Sequence, residues 1–376
     1  MRAVTKTLRT QRHIEIQCII NNYSIDKVFE EESQLKGKKM EKMRAMQVKN
    51  AGEDFQLVEI PIPEPKDNEV LIKVEACGIC HSDAIVKEGW YPNLPYPLVP
   101  GHEVIGIITE VGKNVKSWQA GQRVGVGWHG GHCFECEACR RGDFINCVNG
   151  KVPGINYNGG YAEYMCAPQE ALALVPKELN SEEAAPLLCA GITTYNALRN
   201  SGAKPGDTVA IQGIGGLGHL GVQFANASGY RTVAISNGSE KRELALKLGA
   251  QIYIDASSTN AAEELQKIGG ADVILATAPN SKVISEITNG LKQRGKLIIV
   301  AAASEPMEVI PFTLISGKTI QGWPSGDAKD SEDTMNFSVL KNVRPQIEVF
   351  PLEKANEAYN KMITNKVRFR AVLKMQ

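Results

Sequence analysis

The stretch TVAIQGIGGLGHLGVQFANASGY, residues 208–230, decides the fold. Thr208–Ile211 is a short apolar run that breaks into Gly213, Gly215, Gly216 and Gly218, and Leu217–Gly229 continues with a helical pattern. A GxGxxG turn between strand and helix lets the backbone approach a pyrophosphate closely and aims helix N–H groups at it. Gly213, Gly215, Gly216, Leu217 and Gly218 are therefore candidate dinucleotide contacts. Reading outward, Thr232–Ile235 is a second strand and Glu240–Leu248 a helix. The alternation continues through Gln251–Ile254, Ala261–Ile268, Val273–Ala276, Ser281–Leu291 and Leu297–Val300. Strand and helix in strict alternation predict an α/β, doubly wound parallel sheet.

Upstream the rhythm differs. Phe55–Ile60 and Val70–Glu75 alternate as strands, cut by Pro61, Pro63 and Pro65, and residues up to about 190 are β-rich and dense in Gly, Pro and Cys. After Gly322 the α/β alternation stops, and the last stretch is expected to rejoin this first domain. The expected division is an extension over 1–43, a catalytic domain from 44–190 and 322–376, and a dinucleotide domain over 191–321. The extension carries Arg2, Lys6, Arg9 and Arg12 before its first acid, Glu15, then the run Glu30, Glu31, Glu32. It reads as a disordered tail or upstream start, with organelle targeting as the alternative.

Composition narrows the function. Lys+Arg and Asp+Glu are both 42 of 376 residues, so no charge excess exists to hold nucleic acid or an anionic membrane. No apolar run reaches membrane-spanning length. Nine cysteines in a chain without a secretion signal point to metal ligation in the cytoplasm rather than disulfides. Cys133, Cys136, Cys139 and Cys147, spaced CxxCxxCx7C, suit a closed tetrahedral structural zinc, with an iron–sulfur cluster as rival. A zinc-finger nucleic-acid module would need a basic groove, whereas Glu135, Glu137 and Asp143 lie inside the lobe.

A second set is dispersed: Cys80, His102 and Cys189 would give two thiolates and an imidazole, with a fourth zinc position open. This matches a known catalytic-zinc set and is not deduced from spacing. Asp83 is a candidate to orient the His102 ring, and Glu103 a nearby carboxylate.

GICHSD (78–83), PGHEVIG (100–106), the four-Cys lobe, LLCAGITTY (187–195) and GIGGLGHLGVQ (213–223) stand in the order found in zinc-dependent medium-chain alcohol dehydrogenases. The chain resembles that family over about residues 44–376, in particular its NADP-preferring, cinnamyl-alcohol-dehydrogenase-like or yeast-type members. The resemblance implies a GroES-like catalytic domain interrupted by a Rossmann domain, with the active site in the cleft between them. It implies Cys80, His102 and Cys189 on a catalytic zinc and the four-Cys lobe on a structural one, two zinc ions per subunit. It further implies that Ser82 hydrogen-bonds the substrate oxygen, Thr193 packs near the nicotinamide and Arg370 contacts cofactor. Where many members end a proton relay in histidine this chain has Ile85, and His81 is the candidate to relay protons or meet a cofactor phosphate. Trp90, Tyr91 and Trp128 fall in segments placed by the family around the substrate channel, which would favour an apolar or aromatic substrate.

The cofactor is expected to be NADP. The second Rossmann strand ends at Ser236, where NAD enzymes usually place an acid on the ribose. Ser236, Asn237 and Ser239 are neutral donors, and Lys241 and Arg242 follow. Glu240, which a shift of alignment by a few residues brings to the ribose, supports the alternative, NAD. A polyol dehydrogenase is the runner-up enzyme, but relatives of that kind often replace the third metal ligand with Glu and this chain keeps Cys189. The other class considered is a non-catalytic zinc protein that binds a nucleotide or nucleic acid. The expected partner is a small alcohol or aldehyde, and the expected assembly a homodimer or homotetramer.

Overall fold

The structure is a computed structural model that describes residues 41–375. The expectation for the N-terminal extension falls almost wholly outside these residues. Two short strands, β1 (Lys42–Gln47) and β2 (Gln56–Pro61), pair with each other. A seven-stranded sheet then forms from β3 (Glu69–Ile79), β4 (Val104–Val111), β5 (Arg123–Val126), β6 (Tyr164–Pro168), β7 (Leu172–Leu174), β14 (Ile347–Pro351) and β15 (Arg370–Lys374). Its order is β14-β15-β3-β4-β5-β7, with β6 also on β3; β14 and β15 are parallel, the other pairs antiparallel.

Between these two groups of strands the chain builds a six-stranded, wholly parallel sheet in the order β10-β9-β8-β11-β12-β13. The strands are β8 (Thr208–Gln212), β9 (Arg231–Ser236), β10 (Ile252–Asp255), β11 (Ala271–Ala276), β12 (Leu291–Ile299) and β13 (Thr319–Gly322). The order reverses between β8 and β11, the topological switch point at whose carboxyl ends open α/β sheets bind ligands. The helices that matter for the site are α1 (Ala190–Arg199), α2 (Gly218–Ala227), α3 (Arg242–Lys247), α4 (Ala261–Lys267), α5 (Ser281–Ile287), α6 (Ala328–Lys341) and α7 (Ala355–Ile363). Side chains set their starts: Asn260 accepts from the Ala262 and Glu263 N–H groups, Asn280 from Val283 N, and Asp327 forms a capping box with Asp330.

The largest departure from the expected bounds is at the start of β12. The helix expected over Ser281–Leu291 ends at Ile287, turns through Thr288–Gly290 and becomes β12 at Leu291. Gly290 suits the close packing here: a Cβ on it would lie 2.6 Å from Leu265 Cδ1 and 3.2 Å from Leu265 Cβ on α4. β12 accordingly starts six residues before the apolar run Leu297–Val300 that marked it in the sequence. The strand's polar opening, Lys292–Lys296, hid it.

Candidate active site

Three elements converge on one point. Cys80 follows the end of β3, His102 stands just before β4, and Cys189 immediately precedes α1. The Cys80 and Cys189 sulfurs are 3.7 Å apart, and ligand atoms of Cys80, His102, Glu103 and Cys189 lie within 4.8 Å of one another. Asp83, on the turn after Cys80, is buried and accepts three hydrogen bonds. His102 Nδ1 is 3.1 Å from Oδ1, while Tyr161 OH and Cys80 N each donate to Oδ2 at 2.8 Å. His102 is thereby fixed with Nδ1 toward Asp83, and its buried Nε2 has no hydrogen-bond partner.

The electrostatics suit a cation. Hydrogen bonding from the Cys189 thiol, helped by His102, holds Cys80 well below the usual thiol range, and the same contact with burial pushes Cys189 up. Burial works against a charged His102, yet Asp83 and Cys80 together raise it well above an ordinary histidine. Two sulfurs and an orphaned imidazole nitrogen thus compete for a proton at the spot where a metal would replace it. The donor set fits zinc with an open fourth position.

Next to Cys80, His102 and Cys189 lies a buried ion pair between Glu103 and Arg370. Burial pushes the Glu103 carboxyl up to about 7, against the pull of Arg370 in the other direction. Gly78 leaves the room: a Cβ there would lie 1.9 Å from Glu103 Oε2. Trp128 meets His102 edge-on, with ring centroids 5.1 Å apart. Trp90 and Tyr91 are 61% and 51% exposed on the loop after the 84–87 helical turn. Ser82 is half-buried beside Cys80, His81 is exposed, and Ile85 is buried in the apolar core.

The four-Cys lobe also closes on itself. Cys147 and Cys133 sulfurs are 3.5 Å apart, Cys136 and Cys147 3.9 Å, and all four ligand atoms fall within 4.8 Å. Backbone N–H groups of Glu135 and Cys136 hold Cys133 down to about 6, which favours thiolate. The set fits a closed tetrathiolate site.

At the parallel sheet's carboxyl edge, Gly213 has φ +89°, and a Cβ on Gly218 would lie 1.7 Å from the Gly213 carbonyl oxygen. Only glycine permits that turn into α2. Lys241 Nζ reaches across to the Ile214 carbonyl at 2.9 Å. Ser236 ends β9 half-buried, Asn237 is exposed, and Leu217 precedes α2. Thr193 on α1 hydrogen-bonds Ser325 at 3.3 Å.

Sequence reasoning missed several supporting groups. Tyr161 braces Asp83 from a distant loop. Tyr253 OH donates to the Gly238 carbonyl at 2.6 Å, and Asp255 accepts from Gly238 N at 2.8 Å, so β10 grips the turn after Ser236. Asp255 is the register partner of Ser236, a relation that only strand pairing reveals.

Comparison with known proteins agrees with this architecture. Residues 66–177 match the family described as alcohol dehydrogenase GroES-like domain, and residues 216–339 the zinc-binding dehydrogenase family. The alcohol dehydrogenase patD of Penicillium expansum is 47% identical over 328 residues, covering 87% of this chain and 96% of that one. The solved cinnamyl alcohol dehydrogenase SbCAD4 from Sorghum bicolor superposes with a TM-score of 0.81 at 31% identity, covering 89% of this chain and 98% of its own. CAD from Helicobacter pylori, solved with NADP(H), gives a TM-score of 0.79 at 27% identity, covering 89% of this chain and 98% of its own.

Proposed function

Because the chain belongs to the zinc-dependent medium-chain alcohol dehydrogenase family, we propose that it interconverts a primary alcohol and its aldehyde, with NADP(H) as hydride carrier. The chain is an oxidoreductase, so the non-catalytic reading of its cysteines falls away. The observation that carries the site assignment is the buried, unpartnered His102 Nε2 beside two cysteine sulfurs. Cys80, His102 and Cys189 would hold the catalytic zinc, and Cys133, Cys136, Cys139 and Cys147 the structural one. When bound, zinc supplies Lewis acidity at the alcohol or carbonyl oxygen, and the nicotinamide accepts or supplies the hydride.

The chain's own residues do the rest. Asp83 holds the His102 ring in the orientation a metal ligand needs. Ser82 receives the alcohol proton at its hydroxyl, and the exposed His81 on the same turn passes it to solvent, since buried Ile85 offers no group to do so. Gly213–Gly218 and Arg370 receive the pyrophosphate, Thr193 packs on the nicotinamide, and Trp128 walls the substrate space. The division into 44–190 with 322–376 and 191–321 goes with this reading, which puts substrate and cofactor in the cleft between the two parts.

NADP preference is supported by the neutral Ser236, Asn237 and Ser239 and by Lys241, whose ammonium lies at the glycine-rich loop. One observation favours the second reading, NAD: the Asp255 carboxylate neighbours Ser236 across the strands. Asp255 Oδ1 already accepts from Gly238 N, Ser257 N and Ser257 Oγ, which ties the side chain to the turn and weighs against a ribose role. For assembly, a homodimer or homotetramer is supported by Ile310, Phe312 and Ile315, which are 71%, 79% and 76% exposed beside the sheet-edge strand β13. Among the described residues no helix is long and apolar enough to cross a membrane.

The test is elemental analysis of the purified enzyme followed by kinetics with NADPH and NADH against aliphatic, aromatic and cinnamyl-type aldehydes. Two zinc ions per subunit and a higher kcat/KM with NADPH are expected, and Ser236→Asp moves preference toward NADH. Absence of zinc, or iron in its place, refutes the site; a higher kcat/KM with NADH refutes the cofactor assignment.

A further inference from the structure

Arg370 and the glycine-rich loop come from chain segments about 150 residues apart, yet both must meet the same pyrophosphate if the cofactor reading holds. One fully buried side chain, His219 on the first turn of α2, touches both. Its Nδ1 lies 2.9 Å from the Gly215 carbonyl oxygen, and Gln346 N donates to its Nε2 at 3.1 Å. The two contacts define the tautomer: hydrogen on Nδ1, lone pair on Nε2. The Gln346 carbonyl in turn accepts from both Phe369 N and Arg370 N at 3.1 Å. The Phe369 ring stacks on the imidazole, with centroids 4.9 Å apart and planes 18° from parallel.

We propose that His219 is a positioning residue for the dinucleotide, clamping the glycine-rich loop to the strand of Arg370 so that loop and guanidinium form one preassembled anion cradle. This rests on the dinucleotide reading above. The distances within the cradle are short: a Cβ on Gly216 would lie 3.3 Å from Arg370 Cδ and Nη1. One Arg370 nitrogen is taken by Glu103, while its buried Nε has no partner and remains a donor. Lys241 extends the same assembly toward the ribose end, bonded to Ile214 O and 6.0 Å from the Phe369 ring centre. Burial pushes His219 down to about 3, so the imidazole stays neutral and keeps its Nε2 lone pair for Gln346 throughout the working pH range. A preassembled cradle binds better because the cost of ordering loop and guanidinium together is already met by the fold.

The experiment uses the full-length, zinc-loaded enzyme and follows binding of NADPH and of 2′-AMP, which has the adenosine end but no pyrophosphate. His219→Phe keeps an aromatic ring for the stack and removes both hydrogen bonds; His219→Gln can restore one donor and one acceptor. The expected result is about a tenfold or greater rise in the NADPH Kd for His219→Phe, the usual scale for losing a buried hydrogen-bonded link. Binding of 2′-AMP stays within about twofold, and His219→Gln recovers most of the NADPH affinity. Unchanged NADPH affinity in folded His219→Phe overturns the proposal, as does equal loss of NADPH and 2′-AMP, which marks general damage to the fold. If His219→Phe does not fold, His219→Asn, which reaches only Gly215, is measured instead, and an unchanged NADPH Kd there overturns it equally. Failure of the wild-type enzyme to bind any dinucleotide would instead refute the cofactor reading itself.

Discussion

Replacing Asp83 by Asn changes one oxygen for an amide nitrogen and almost no volume, so it isolates what the carboxylate does for His102. Oδ2 accepts two hydrogen bonds, from Cys80 N and Tyr161 OH, and Oδ1 one, from His102 Nδ1. The asparagine oxygen keeps the larger set, which turns its NH₂ toward His102. Two donors then face each other unless the imidazole moves its proton to Nε2, the nitrogen that would ligate the metal. Either outcome loses one buried hydrogen bond to a charged acceptor, about 1.5–3 kcal/mol. Loss of a partner that orients a metal-ligating histidine typically lowers metal affinity roughly 10–100-fold. The full-length variant is expected to be less stable to urea unfolding by that amount and to give up zinc to a chromogenic chelator far sooner than wild type, with turnover falling in step. A folded Asp83→Asn enzyme that retains zinc and turnover like wild type would refute the assignment of His102 as a ligand held by Asp83.

Cys139→Ser is expected to leave one zinc per subunit by elemental analysis and to lower the melting temperature, because structural zinc contributes folding free energy. Gly78→Ala drives a methyl into Glu103 Oε2, which a Cβ would meet at 1.9 Å, and should destabilise by about 1–3 kcal/mol in urea unfolding. His219 titrates near 6.5 when unfolded and at about 3 when folded, so its contribution is complete above pH 6.5. Below that the unfolded chain binds the extra proton, and stability falls by about 1.4 kcal/mol per pH unit toward pH 3. Urea unfolding at pH 7 and pH 5 should show this added loss in wild type but not in His219→Gln; equal losses would contradict it.

The parallel sheet was legible because its evidence is local. Apolar runs of four to six residues, each followed by a glycine or an asparagine cap, state both the strand and the helix after it, and the strands fall close to where they were read. β12 escaped because its first half is polar, so no apolar run marks its start, and the glycine before it packs against Leu265, a residue 25 positions away. The four cysteines of the lobe were legible for the same local reason, since 15 residues of loop can hardly keep their sulfurs apart. Cys80, His102 and Cys189 are different. Nothing in their spacing says that they meet, and only the resemblance to a family brought them together before the sheet did.

What the sequence hid most completely is the layer of residues that hold the functional ones. Tyr161, Tyr253, Asp255 and Gln346 act through a single hydrogen bond or a backbone group, with no motif and no fixed spacing to the side chain they support. Asp255 is the instructive case. Read along the chain, the position after β9 lacks the acid expected of an NAD enzyme; read across the sheet, a carboxylate stands beside Ser236 after all. Its role depends on where its lone pairs go, and here an oxygen is committed to Gly238 and Ser257. A cofactor preference inferred from the end of β9 alone therefore assumes that the neighbouring strand contributes nothing. Three donors on Oδ1 tie the carboxylate to the turn 236–238, so a ribose hydroxyl would have to meet its other oxygen.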